Sequence, residues 1–137
     1  MAYETTTVPV SDSQAAIKKL VMGNGGSGVS FICKPPMEGF EALMPIDGVE
    51  YRIRIVASVP SKAADPASHG RRIWRVLFYH LKSVFEASRS GVMEFRELML
   101  PYIVVKDGHT IGEHLLPNLA KAVESDPRRL LGSGKDL

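Results

Sequence analysis

The sequence predicts an α+β fold: a helix, a three-stranded antiparallel sheet, a long amphipathic helix packed on one sheet face, then a C-terminal strand and helix element. Three observations carry this. Val49–Val56 alternates, with Val49, Tyr51, Ile53 and Ile55 on one side and Glu50, Arg52 and Arg54 on the other. That is the period of two required by a sheet with one buried and one wet face. Asp47-Gly48, just before it, is a tight-turn pair, because both central positions of the favoured hairpin turn need positive φ. Trp74, Leu77, Phe78, Leu81, Val84 and Phe85 recur at three- and four-residue spacing, the mark of a helix with one buried stripe.

The remaining elements follow in order. Residues 1–10 read as an extended arm, with Pro9 unsuited to a central strand. Ser11 and Gln14 have capping-box spacing, so a helix is expected from Ser11 with Ile17, Leu20 and Val21 inward, stopping at Gly23. Val29–Lys34 alternates as a strand with Val29, Phe31 and Cys33 on one face, and Pro35-Pro36 ends it. Glu38–Met44 is the second strand, with Phe40, Ala42 and Met44 together. The stretch at about 59–70 has the small, proline-rich composition of an exposed, mobile loop. The long helix is expected over roughly Arg71–Ser90, closed by Gly91. Glu94–Leu100 reads as a short helix with Phe95, Leu98 and Met99 inward, and Tyr102–Val105 as a short buried strand before an Asp107-Gly108 turn. Thr110 and Glu113 form a second capping box, ahead of a stripe of Ile111, Leu115, Leu119 and Val123 that Pro117 should kink. Residues 1–124 therefore read as one domain, and 125–137 as a polar, fraying tail.

Composition narrows the class. With 137 residues and 45% hydrophobic content, the chain is globular and long enough to bury roughly two-thirds of its unfolded surface. Cys33 is the one cysteine, which excludes an internal disulfide and a cysteine-based zinc cluster; beside Phe31 and Ile32 it reads as a buried thiol. The threonine-rich start is no signal peptide, and no apolar run approaches the roughly 20 residues of a membrane span. A reducing cytoplasm, that of a bacterial host, is the expected compartment.

Several motifs fail on inspection. Gly23-Asn24-Gly25-Gly26-Ser27-Gly28 spells G-x-G-x-x-G, but a helix precedes it and a strand follows, the reverse of what a dinucleotide site needs. A phosphate loop would need lysine where Val29 stands. His109 and His114 are five residues apart, which turns them about 140° from one another on a helix, so no metal site is expected. Neither a nucleophile elbow nor a Ser/His/Asp set is evident. No catalytic residue and no cofactor is assigned, although a spatially assembled active site would escape this reading.

Charge is the functional signal. From Arg52 to Arg89 there are eight basic residues against Asp65 and Glu86, a balance of +6, while the rest of the chain carries −4. Arg71, Arg72 and Arg75 crowd the expected start of the long helix, where they would oppose the helix dipole; a bound anion would compensate. Arg72, Arg75, Tyr79, Lys82, Glu86 and Arg89 share one side of that helix. Arg52 and Arg54 extend the patch if they face the same way, and Tyr51 and Tyr79 are the available stackers. A solvated face balanced by acids from elsewhere is the competing interpretation.

The order helix–strand–strand–strand–helix resembles the double-stranded-RNA-binding domain, whose lysine-rich cluster opens its second helix where this chain has Arg71, Arg72 and Arg75. The strands followed by a long helix also resemble single-strand annealing proteins of the Rad52 type. Ala2-Tyr3-Glu4-Thr5-Thr6-Thr7, then Arg72, Trp74, Arg75, Leu77, Leu81, Lys82, Glu86 and Gly91, then Asp107–Glu113 and Pro117, together resemble small uncharacterised bacteriophage and prophage proteins. That resemblance implies a mobile-element context rather than a mechanism. The expected function is a non-enzymatic accessory protein that binds DNA or RNA through Arg52, Arg54, Arg71, Arg72, Arg75, Lys82 and Arg89. The alternatives are a modulator of a host enzyme or defence complex that docks on an acidic protein surface, and a small enzyme with an unrecognised site. Arg72→Glu with Arg75→Glu is expected to abolish partner binding without unfolding the domain.

Overall fold

In the computed structural model, helix α1 (Val10–Gly23) leads into strands β1 (Gly28–Lys34), β2 (Met37–Ile46) and β3 (Val49–Ser58), followed by the long helix α2 (Pro66–Arg89). Short helices α3 (Phe95–Met99), α4 (Ile111–Leu115) and α5 (Leu119–Ala122) complete the chain, with single 3-10 turns at Leu100–Tyr102 and Leu116–Asn118. The structure describes residues 6–34, 36–58, 66–126 and 128. The expected mobile loop lies mostly outside them, as does most of the expected tail.

The sheet is antiparallel in the order β1-β2-β3. Asp47 and Gly48 take φ of 51° and 81°, the left-handed pair a two-residue hairpin turn needs. This turn sets the register: Ile46 faces Val49, Phe40 faces Ile55 and Glu41 faces Arg54. Alternation then places Phe40, Ala42, Met44, Ile53 and Ile55 on one face, all buried. Both α1 and α2 cover that face, joining Ile17 and Val21 to Trp74, Leu77, Leu81, Val84 and Phe85 in one core. Trp74 is fully buried and meets Phe31 edge-on, ring centroids 5.7 Å apart, the geometry that aligns ring edge with ring face. Gly39 allows close strand approach, since a Cβ there would collide with the Ile55 carbonyl oxygen.

Four expectations are corrected. Helix α2 starts at Pro66, not Arg71. Proline suits a first helical position because the missing N–H would be unpaired there anyway, and a loop-like composition concealed it. Helix α1 starts one residue before Ser11 with no side-chain cap, and Ser13 is buried in the interior instead. Cys33 is exposed and accepts a hydrogen bond from Gln14 Nε2 at 3.4 Å, because β1 is an edge strand whose last residues run past the core. The stripe of Leu115, Leu119 and Val123 is 43–56% exposed rather than inward, since neither α4 nor α5 sends a residue into the core.

Past α2, the polypeptide returns to the free edge of β3. Phe95 stacks on Phe85 at 5.5 Å and Met99 is fully buried. Ile103 then bridges Ile53, with Val104 N–H donating to the Arg52 carbonyl at 2.8 Å. The expected strand at Tyr102–Val105 is thus only a pair of bridges, to Ile53 and to Thr110. Gly108 (φ 89°) makes the turn, and Thr110 Oγ1 accepts from the Glu113 N–H at 3.1 Å as the cap of α4.

Candidate nucleic-acid interface

With the buried stripe of α2 fixed against the sheet, the place of its basic residues is fixed too: Arg71, Arg75 and Lys82 are half-exposed and flank the stripe rather than oppose it. At 100° per residue, Arg71, Arg75, Lys82 and Arg89 fall within about 40° of one another and span about 27 Å along the axis. Arg72 lies on the adjoining sector. Glu86 is the one acidic residue of α2. The early helix start changes the electrostatics: Arg71 is the sixth helical residue and Arg75 the tenth, beyond the first turn where the dipole acts. The expected conflict with the dipole, and the need for an anion to relieve it, therefore disappears.

Local contacts brace most of these cations. The Arg75 guanidinium sits 4.6 Å from the Phe78 ring centroid and 5.5 Å from that of Tyr79, with Lys82 Nζ 5.7 Å from Tyr79 on its other flank. Such cation–ring contacts attract the charge to the ring face, by about 0.5–1 kcal/mol at an exposed site. Lys82 is 4.0 Å from Glu86, both side chains well exposed, a pair worth about 0–1 kcal/mol that leaves Lys82 free to exchange partners. Arg72 Nη2 donates to His69 Nδ1 at 2.7 Å, and Arg71 Nε to the Thr6 carbonyl at 3.5 Å. Arg89 caps the last turn through the Phe85 carbonyl at 3.4 Å, where a cation also complements the dipole.

Arg52 and Arg54 lie elsewhere. They alternate with the buried Ile53 and Ile55 and so occupy the sheet face opposite the helices. Arg52 is exposed, 3.9 Å from Glu41. Arg54 is mostly covered: Nε donates to Glu41 Oε2 at 2.8 Å and Nη1 to the Gly108 carbonyl at 2.9 Å, with Glu113 Oε1 at 3.7 Å. It ties β3 to the C-terminal turn. Tyr51, the other proposed stacker, is on the helix-covered face, opposite Met44.

One polar cluster was not legible as such. His109 Nδ1 is 2.7 Å from Glu113 Oε2 and His114 Nε2 is 2.7 Å from Asp107 Oδ2, with the two imidazoles edge-to-face at 5.7 Å. Asp107 is held below the usual carboxylate range, chiefly by the His109 backbone N–H and then by His114. Glu113 is lowered chiefly by its hydrogen bond to His109, with the charges of His109 and Arg54 adding to it. Each histidine has its own carboxylate, so the cluster fastens α4 to the turn. The signal for Arg54 was present in the sequence: counting back from Asp47-Gly48 puts Glu41 directly across from it.

Comparison with known proteins gives no match to a family model, a curated protein or a solved structure. Among the described residues, no helix is long and apolar enough to cross a membrane.

Proposed function

We propose that the protein binds DNA or RNA along the basic flank of α2, as an accessory protein of phage type in a bacterial cytoplasm. The observation that supports this reading is the row formed by Arg71, Arg75, Lys82 and Arg89, with Arg72 beside it, on a helix whose other side is immobilised by the core. A rigid line of cations facing a polyanion gains by releasing condensed counterions. Helix α2 contains no Asn or Gln, so the row is suited to phosphate contact, which positions a protein without specifying sequence. Arg52 and Arg54 are not part of this interface.

The test is fluorescence anisotropy with labelled duplex and single-stranded DNA and RNA across a salt series. Five cations predict a slope of log K against log salt of about −4.5 on duplex DNA. Lys82→Glu with Arg89→Glu is the preferred variant, since their own contacts, to the exposed Glu86 and to the Phe85 carbonyl in the last turn, are longer than the 2.7 Å bond of Arg72 to His69 and peripheral to the Arg75–Phe78 contact. It should weaken binding at least tenfold and flatten the slope by about 2. Absence of binding to every probe at low salt would refute the reading.

A second reading rests on the Arg75–Phe78–Tyr79 cluster, because arginine and aromatic side chains anchor protein interfaces. It predicts a host protein with an acidic surface captured by the wild type and lost on Tyr79→Ala.

A further inference from the structure

The geometry points to a divalent transition-metal site, of the class that takes zinc, held by the imidazoles of His109 and His114. The two rings lie 5.7 Å apart, centre to centre, and nearly perpendicular. Their five-residue spacing would set them about 140° apart on one helix. That arithmetic does not apply, because His109 precedes Thr110, the residue that caps α4, and so belongs to the turn. Turn and helix meet here and bring together two imidazoles that a single helix would separate.

Each imidazole already has the outer partner that a metal-ligating histidine uses. His109 Nδ1 is 2.7 Å from Glu113 Oε2, and His114 Nε2 is 2.7 Å from Asp107 Oδ2. An ionised carboxylate can only accept a hydrogen bond, so in the neutral imidazole these are the nitrogens that carry hydrogen. The lone pairs then lie on His109 Nε2 and His114 Nδ1. A carboxylate on the far nitrogen fixes the tautomer, orients the ring and makes the free nitrogen a better ligand. The carboxylates are held in turn. Asp107 Oδ1 accepts from the His109 backbone N–H at 3.0 Å, and Glu113 Oε1 is 3.7 Å from Arg54. The pairing is crossed: Asp107 of the turn serves the helix histidine, and Glu113 of the helix serves the turn histidine.

Reach and charge both suit one ion. Zinc about 2.0–2.1 Å from a ring nitrogen is about 3.2 Å from the ring centre, so one ion can touch two rings whose centres are up to about 6.4 Å apart. Asp107 and Glu113 bring two negative charges, and the one guanidinium near them, that of Arg54, also pairs with Glu41. Both imidazoles are more than half exposed, so a hydrated ion has a path in and water can complete its coordination. Imidazole nitrogen favours zinc, copper and nickel over magnesium and calcium, which take oxygen. Among the described residues no group of three or more His, Cys, Asp or Glu is placed to hold a metal ion, so the site is an open one with two protein ligands. This inference stands independently of what α2 binds.

The test is a titration of the full chain with zinc chloride near neutral pH, in a Cys33→Ser background because that thiol is exposed and would compete. Calorimetry should give one ion per chain. Nitrogen NMR should show His109 Nε2 and His114 Nδ1 shifting on addition of zinc, while the ring nitrogens of His69 and His80 stay in place. His109→Gln and His114→Gln should each weaken binding at least tenfold, and Asp107→Asn, which leaves both ligands present, should weaken it by about 10–100-fold. No saturable binding up to about 1 mM zinc, shifts confined to other nitrogens, or unchanged affinity in the His109→Gln, His114→Gln double variant would overturn the proposal. The first two outcomes are read on a chain with both histidines, so they decide the matter even where the double variant fails to fold.

Discussion

Replacing Arg54 by methionine is the sharpest test of how the C-terminal element is held. Methionine keeps the length of the stem and removes the guanidinium. Two hydrogen bonds disappear, to Glu41 Oε2 at 2.8 Å and to the Gly108 carbonyl at 2.9 Å, along with the 3.7 Å approach to Glu113. Bonds to charged groups contribute about 1.5–3 kcal/mol each. Glu41 keeps some access to water, its side chain being 24% exposed, so the lower end applies and the loss should total about 3 kcal/mol. For a chain of this size that lowers the midpoint of thermal unfolding by roughly 10 °C. Urea denaturation should show a lower midpoint with an unchanged m value. Hydrogen exchange should find the amides of Val104, Val105 and Gly108, which donate to Arg52, His109 and Val105, losing protection before β2 and β3 do. Arg54→Lys should fall between, because an ammonium cannot span two acceptors as the guanidinium fork does. A change below about 0.5 kcal/mol, the usual size for a surface substitution, with exchange in the turn unaltered, would refute the reasoning and return Arg54 to the surface charges.

Two further predictions concern the same region. Thr110→Ala removes the oxygen that accepts from Glu113 N–H at a buried position. It should cost about 1 kcal/mol in a denaturation midpoint, whereas Thr110→Ser should cost much less. Acid should act here through Asp107 and Glu113, both lowered in the folded protein. The unfolded chain then binds more protons around their ordinary values of about 3.9 and 4.3, so their contribution is complete above that range and is lost as pH falls through the lower folded values. Amide shifts of Gly108 and His109 should report this loss, and Asp107→Asn should flatten it; an Asn variant with the wild-type acid profile would contradict the assignment.

Much of this fold is local and so was legible beforehand. The Asp47-Gly48 turn, the alternation of β3 and the stripe from Trp74 to Phe85 each repeat with the period of one element, and each is found as expected. Pro117 breaks the last helix into α4 and α5 as its missing donor requires. Boundaries were harder. Pro66-Ala67-Ser68-His69-Gly70 is helical although its composition is that of a loop, because the packing of α2 extends a helix that propensity alone would not start.

What the sequence determined by itself is therefore the α+β class, the core side chains of β2, β3 and the Trp74–Phe85 stripe, and the division of α2 into an apolar and a basic side, since all three follow from periodicity. Which charges are available was decided only by the tertiary structure. Arg52 and Arg54 looked equivalent to Arg75 and Lys82, yet alternation in β3 sends them through the sheet to its other face, and the returning C-terminal turn converts Arg54 into a tether. The same return left Leu115, Leu116, Leu119 and Val123 facing outward. A helical stripe in sequence records only that its residues share a side; the packing of distant segments decides what that side meets.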